Sequence, residues 1–242
     1  VTRAVFFDVD FTLIYPGPTF QAAGYARFCA AEEVTVHAAL FDEAVAAASF
    51  ILDEIEEQVY DPNLFVHYTA TIIEHMGGRG AGVVRAAERI YEQWAANHHF
   101  EIYDDVAPVL SELAARGLRL GAISNSHRSL DAFKEHFKLD TLLGTVVSSA
   151  EHGFMKPHPS IFEAALAHAN VAASEAVMVG DSLRADIEGA LAVGMRGILL
   201  RRSGERPSTL PPGVGVITSL HELVSRDVSM AWGLEAGTRD VD

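Results

Sequence analysis

The stretch Ala4-Val5-Phe6-Phe7-Asp8-Val9-Asp10-Phe11-Thr12 sets a short apolar run directly in front of two aspartates. An apolar run of this length, closed by charge, predicts a strand buried on both faces, as parallel strands are. Residues i and i+2 of an extended chain point the same way. Asp8 and Asp10 are therefore expected to face one place at the end of that strand. Two carboxylates there repel each other unless a cation or a shared proton intervenes.

Outward from this strand the pattern changes twice. Pro16-Gly17-Pro18 breaks the chain. From about residue 19 to residue 97 the spacing of apolar residues is helical, with helices expected over 20–31, 33–60, 63–75 and 83–97. Asp61-Pro62 and Gly77-Gly78 separate the later ones. From Asp104 helices alternate with strands. Strands are expected over 118–123, 145–147, 176–179 and 197–200, with 214–217 as a candidate last strand. Helices are expected over 106–116, 129–137, 160–170 and 184–192, and Ser219 is placed to cap a short final one. The tail from Arg226 reads as irregular. Alternation of this kind predicts an α/β fold: a Rossmann-like parallel sheet core, residues 1–16 and 104–242, with an inserted all-helical cap over 17–103.

Composition narrows the function. Hydrophobic residues make up 49% of the 242, enough for a sizeable core, and 21% are charged. The net charge of -15 disfavours nucleic acid and acidic membranes, which bind basic surfaces. A metal or a few local cations can still reverse the field inside one pocket. The single cysteine, Cys29, rules out an intrachain disulfide and is expected to be a buried packing residue. The first residues reach an acidic group at once and lack the apolar run of a signal peptide, while a start at Val1 leaves room for an initiator or a short leader. No stretch is long and apolar enough to span a bilayer. The expected location is the cytoplasm, and the expected state a monomer or homodimer.

Ligands of open parallel sheets bind beyond the carboxyl ends of the strands. Asp8 and Asp10 follow the first expected strand, and Ser124-Asn125 the second. A loop after the third leads to Lys156-Pro157, and Gly180-Asp181-Ser182 follows the fourth, with Asp186 beyond it. Taken singly, each has an ordinary explanation: a turn for Asp-x-Asp, a helix cap for Ser124-Asn125, a dipole contact for Asp186, a salt bridge for Lys156. Their convergence on one rim is what points to a site. Carboxylates gathered there suit a hard divalent cation such as Mg2+. A lysine beside them suits the charge that spreads over a phosphoryl group during transfer.

In this order the motifs resemble those of the haloacid dehalogenase superfamily, in the phosphatase-type subgroup whose helical cap is inserted after the first motif. Asp8-Val9-Asp10-Phe11-Thr12 is similar to D-x-D-x-T, Ser124 to the Ser/Thr of the second motif, Lys156 to the third, and Gly180-Asp181 with Asp186 to G-D-x-x-x-x-D. The resemblance implies a magnesium-dependent phosphomonoester hydrolase acting on a small phosphorylated metabolite through an aspartyl-phosphate. It implies Asp8 as nucleophile and Asp10 as acid and base, with Ser124, Asn125 and Lys156 at the phosphoryl group. It also implies Mg2+ held by Asp8, the Asp10 carbonyl and Asp181, with Asp186 behind them. Dehalogenating members lack the second aspartate, because a halide leaves without a proton. Many relatives carry glycine where Phe11 stands.

Two other functions use the same residues: a phosphomutase, and a protein that binds phosphorylated ligands with little turnover. Substrate choice is expected in the cap and nearby loops, with Tyr15, Phe20, Tyr25, His127 and Arg128 as candidates by position. Cap opening is expected to gate the site, with hinges near 15–18 and 100–104. His98-His99 is not read as a metal site, and Arg201-Arg202 reads as surface charge.

Overall fold

The computed structural model describes residues 1–53, 58–203 and 207–234. Ala4–Phe7 forms strand β1, buried at every position. β2 (Ile14–Pro16) comes next, then five helices: α1 (Ala22–Ala31), α2 (Phe41–Ala48), α3 (Phe50–Asp53), α4 (Pro62–His75) and α5 (Gly82–Trp94). After β3 (Phe100–Ile102) helix and strand alternate: α6 (Val106–Ala115), β4 (Arg119–Ser124), α7 (Leu130–His136) and β5 (Leu143–Ser148). Next come α8 (Ser149–His152), α9 (Pro159–Ala169) and β6 (Ala176–Gly180). A π-helical turn over Leu183–Glu188 runs into α10 (Gly189–Ala192), succeeded by β7 (Arg196–Leu200), β8 (Gly215–Ile217) and α11 (Arg226–Trp232).

The main sheet has the order β5-β4-β1-β6-β7-β8, with parallel pairing throughout. The chain runs outward from β1 through β4 to β5, then crosses to β6 on the other side of β1 and outward again. That reversal makes the carboxyl end of β1 the place where such sheets bind ligands. β1 and β6 are buried on both faces, which is why they read as unbroken apolar runs. On one face Phe6 and Met178 of the sheet pack with Ile161, Phe162 and Ala165 of α9. Full burial of a phenylalanine or isoleucine contributes about 1.5–3 kcal/mol each.

The chain forms two units: Val1–Tyr15 with Ile102–Asp242, and Pro16–Glu101. β2 and β3 pair with each other where the chain passes from one unit to the other and back. Within Pro16–Glu101, α4 and α5 bury residues at helical spacing, Thr69, Ile72 and Ile73 on one and Val83, Ala87 and Ile90 on the other. Asp61 caps α4 by accepting the Asn63 N–H at 2.9 Å, and Pro62 stands where its missing N–H costs nothing. Among the described residues no helix is long and apolar enough to cross a membrane.

Three expectations need correction. The helix expected over 33–60 does not form as one piece: Glu33 turns left-handed (φ 59°), and Val34-Thr35-Val36 is not helical. β-Branched residues crowd a helix, and the Val34 and His37 N–H groups bond instead to the Cys29 and Met76 carbonyls, each at 2.8 Å. Helix resumes in a 3-10 turn over Ala38–Leu40 and then in α2 and α3, and residues 54–57 lie outside the described residues. The helix expected over 184–192 begins instead as a π-helical turn. The tail is not irregular up to Trp232. It forms α11, held where Arg116 donates to Ser229 Oγ at 2.6 Å and the Thr2 hydroxyl bonds to the Trp232 carbonyl. Both contacts join residues more than 100 positions apart, so no local pattern announces them.

Candidate active site

The carboxyl ends of β1, β4 and β6, and the loop after α8, deliver the side chains that the sequence motifs single out. Asp8 follows β1 and is 7% exposed. Lys156, 4% exposed, donates from Nζ to Asp8 Oδ1 at 2.6 Å, to Asp186 Oδ1 at 2.7 Å and to the Ile123 carbonyl at 2.7 Å. These three acceptors use all three protons of the ammonium. Burial alone would lower the Lys156 pKa, but Asp186 and Asp8 outweigh it and raise it. Lys156 is therefore a fixed positive charge.

Asn125 sets that lysine's backbone. Its Oδ1 accepts the Lys156 N–H at 2.7 Å, and its Nδ2 donates to the Lys156 carbonyl at 2.9 Å. Both ends of the Asn125 amide are thus engaged by Lys156. Ser124 differs. Its hydroxyl is buried and has no hydrogen-bond partner. A buried hydroxyl without a partner costs free energy, and an incoming acceptor such as a phosphoryl oxygen would satisfy it.

Asp186 reaches the cluster from the π-helical turn and also accepts the Ser182 N–H at 2.9 Å. Its approach explains Gly180, because a Cβ at that position would overlap the Asp186 carboxylate. Oxygens of Asp8, Asp181 and Asp186 all lie within 4.8 Å of one another. Burial, then the charge of Asp8 and of Asp186, raises the Asp181 pKa well above the ordinary carboxylate range. Burial also pushes Asp186 up to about 6, against the pull of Lys156. Three ionised carboxylates against one ammonium would leave two negative charges in one place, and that repulsion is part of what raises the Asp181 and Asp186 pKa values. Hard oxygen donors with that excess fit a divalent cation. Asp186, expected behind the metal ligands, stands here beside Asp8 and Asp181.

Asp10 meets a residue whose role the sequence does not reveal. Arg128 has a side chain with no exposure, and its Nη1 donates to Asp10 Oδ1 at 3.1 Å and to Oδ2 at 3.3 Å. Burial raises the Asp10 pKa, Arg128 opposes the rise and Asp8 adds to it. Position in the chain makes Arg128 a substrate candidate. Nothing local foretells its pairing with a residue 118 positions away.

Other candidates fall elsewhere. Phe20 is packing: it is buried against Trp94, His99 and Phe100. Tyr25 is buried against Phe41. Tyr15 packs on Tyr103. His99 bonds through its ring nitrogens to Thr19 and Gln93. Arg201-Arg202 is not idle surface charge. Arg202 grips Asp105 with two bonds of 3.0 and 2.9 Å, donates to the Thr12 carbonyl at 2.8 Å and lies 3.6 Å above the Tyr103 ring. Arg201 donates to the Asp181 carbonyl at 3.2 Å. Both arginines thus hold backbone of the loops that carry the carboxylates.

The model of the haloacid dehalogenase-like hydrolase family matches residues 2–194. Haloacid dehalogenase-like hydrolase domain-containing protein 3 of Danio rerio is 32% identical over 143 residues, 59% of this chain and 59% of that protein. The chain thus covers under two thirds of that relative. Ribulose-1,5-bisphosphate 5-phosphatase of Halopiger xanaduensis is 31% identical over 215 residues, 86% of this chain and 89% of the relative. Among solved structures, a 2-haloacid dehalogenase from Pseudomonas syringae pv. Tomato DC3000 superposes with a TM-score of 0.63 at 26% identity, covering 96% of this chain and all of that one. With the family match spanning most of its length and the motif residues gathered at one sheet end, the chain belongs to the haloacid dehalogenase-like hydrolases.

Proposed function

We propose that this hydrolase is a phosphatase that removes phosphate from a small phosphorylated metabolite, with Asp8 as nucleophile and Asp10 as acid and base. The observation that carries the reading is the buried Lys156 ammonium between Asp8 and Asp186, with Asp181 beside them and an unpartnered Ser124 hydroxyl close in sequence to the Lys156 acceptor Ile123. Lys156 orients Asp8 for attack. An Asp8 oxygen attacks phosphorus, and the bond from phosphorus to the ester oxygen breaks. Asp10 gives its proton to the leaving oxygen, then takes one from the water that cleaves the aspartyl-phosphate. Phosphate leaves and Asp8 returns as a carboxylate. Ser124 donates to a phosphoryl oxygen. Asp8, the Asp10 carbonyl and Asp181 would hold Mg2+, with Asp186 beside them, and the ion when bound neutralises charge on the phosphoryl oxygens.

Asp10 decides between ester hydrolysis and the dehalogenation performed by the Pseudomonas neighbour. An alkoxide needs a proton to leave and a halide does not. The test is phosphate release from a panel of small phosphate esters, with and without magnesium, in the wild type and Asp8→Asn. The expected result is magnesium-dependent release that falls by roughly a thousandfold or more in the variant. Release that survives in Asp8→Asn removes Asp8 as nucleophile. No release by the wild type from any ester overturns the hydrolase reading in favour of a mutase or a binding protein.

A further inference from the structure

Four residues other than glycine hold a positive φ among the described residues: Phe11 (62°), Glu33 (59°), Lys138 (59°) and Asn170 (50°). Three of them close helices. Asn170 caps α9, Glu33 follows the cap of α1, and Lys138 follows the cap of α7. A left-handed residue at such a place is the usual way to end a helix. Phe11 ends no helix. It lies in the turn between β1 and β2, with its N–H bonded to the Ile14 carbonyl at 2.6 Å. It is also apolar and 48% exposed.

A phenylalanine that is both strained and exposed has no account in folding. Glycine would close the same turn without the clash of a Cβ. Burial of the ring does not offset the strain, because the ring is half in water. Strain kept at such a position points to use. Its place in the chain says what use, since Phe11 directly follows Asp10.

We propose that Phe11 determines specificity, its ring covering the carbon skeleton of the leaving group. This rests on the phosphatase reading, in which Asp10 hands its proton to the leaving oxygen. Phe11 directly follows that proton source in the chain, and its half-exposed ring is open to what the oxygen carries. An aromatic face gains by contact with an apolar or ring face and by excluding water from it. It gains little from a leaving group of two carbons. The favoured substrates are therefore phosphate esters whose alcohol presents an extended apolar or ring face close to the ester oxygen.

The experiment compares p-nitrophenyl phosphate with acetyl phosphate. Both leaving groups depart readily, so proton delivery by Asp10 does not separate them. The readout is the ratio of kcat/KM for the two in wild type, Phe11→Gly, Phe11→Ala and Phe11→Tyr. Loss of the ring is expected to lower the ratio roughly tenfold in the glycine and alanine variants, and tyrosine is expected to keep it. Phe11→Gly is expected to melt about 2–4 °C above Phe11→Ala, because only glycine relieves the left-handed turn. An unchanged ratio overturns the proposal, whether the two activities persist or fall together. Equal melting temperatures remove the strain from which it starts. A wild type that releases phosphate from neither ester sinks the phosphatase reading instead. Competition between phenylphosphonate and methylphosphonate for binding then decides on Phe11, and a preference unmoved by Phe11→Gly overturns its role.

Discussion

In the unit formed by Val1–Tyr15 and Ile102–Asp242, Asp8, Arg128, Lys156 and Asp186 lie almost wholly out of water. In the unit Pro16–Glu101 the one buried carboxylate among the described residues, Glu32, pairs with Arg85 and Arg89, whose side chains are 54% and 58% exposed. The first unit buries both partners of the Lys156 pairs with Asp8 and Asp186, and the second buries only one partner of each of its Glu32 pairs. Taking both ions out of water costs several kcal/mol per ion after relaxation, and an apolar pair of similar volume often does as well or better for stability. Phe20, Trp94 and Phe100 show the second unit using that cheaper solution. Buried charge in the first unit collects at the carboxyl ends of the strands, where stability alone gives no reason for it.

The two units should therefore respond differently to the loss of one charge. The largest effect belongs to Lys156→Met, which leaves Asp8 and Asp186 buried without their cation. Denaturant unfolding should show a loss of about 3–5 kcal/mol, together with loss of phosphate release. A stability within error of wild type would mean that the cluster is not dry.

Next is Arg128→Met. Asp10 then loses its partner, and kcat/KM for an alkyl phosphate should fall roughly ten- to a hundredfold. p-Nitrophenyl phosphate, whose leaving group needs no proton, should lose far less. An equal fall for both would make Arg128 a support of the loop and nothing more specific.

Magnesium gives a third, smaller test. The three crowded carboxylates should make the metal-free protein gain stability on binding, by about 2.7 kcal/mol at a hundred times the dissociation constant. Asp181→Asn should abolish that gain, and without metal it should melt above wild type, since one repelling charge is gone. A wild type whose melting temperature ignores magnesium would break the assignment of the cluster as a cation site.

The smallest effect is expected in the other unit. Glu32→Gln should barely move the melting temperature, because water already screens both arginines. A large drop there would erase the contrast between the units.

The sequence by itself determined the buried parallel strands, the alternation that makes an α/β sheet, and the identity of the residues at the strand ends. Those come from local rules: an apolar run reads as a buried strand, and the residues just after it lie at the sheet's rim. Asp8, Ser124 and Asp181 are legible in that way, and Lys156 and Asp186 stand further along the segments that follow β5 and β6. Only the tertiary structure decided which of them touch. It joined Lys156 to Asp8 across 148 positions, gave Asp10 to Arg128 and set Arg202 against Asp105 and Thr12. It also turned Asn125 toward the backbone of Lys156 and ordered the tail to Leu234 through Arg116. Periodicity reports only which face of an element is buried. Partners far apart in the chain are chosen by the register of β1 with β4 and β6, and by the cost of leaving a buried charge without one.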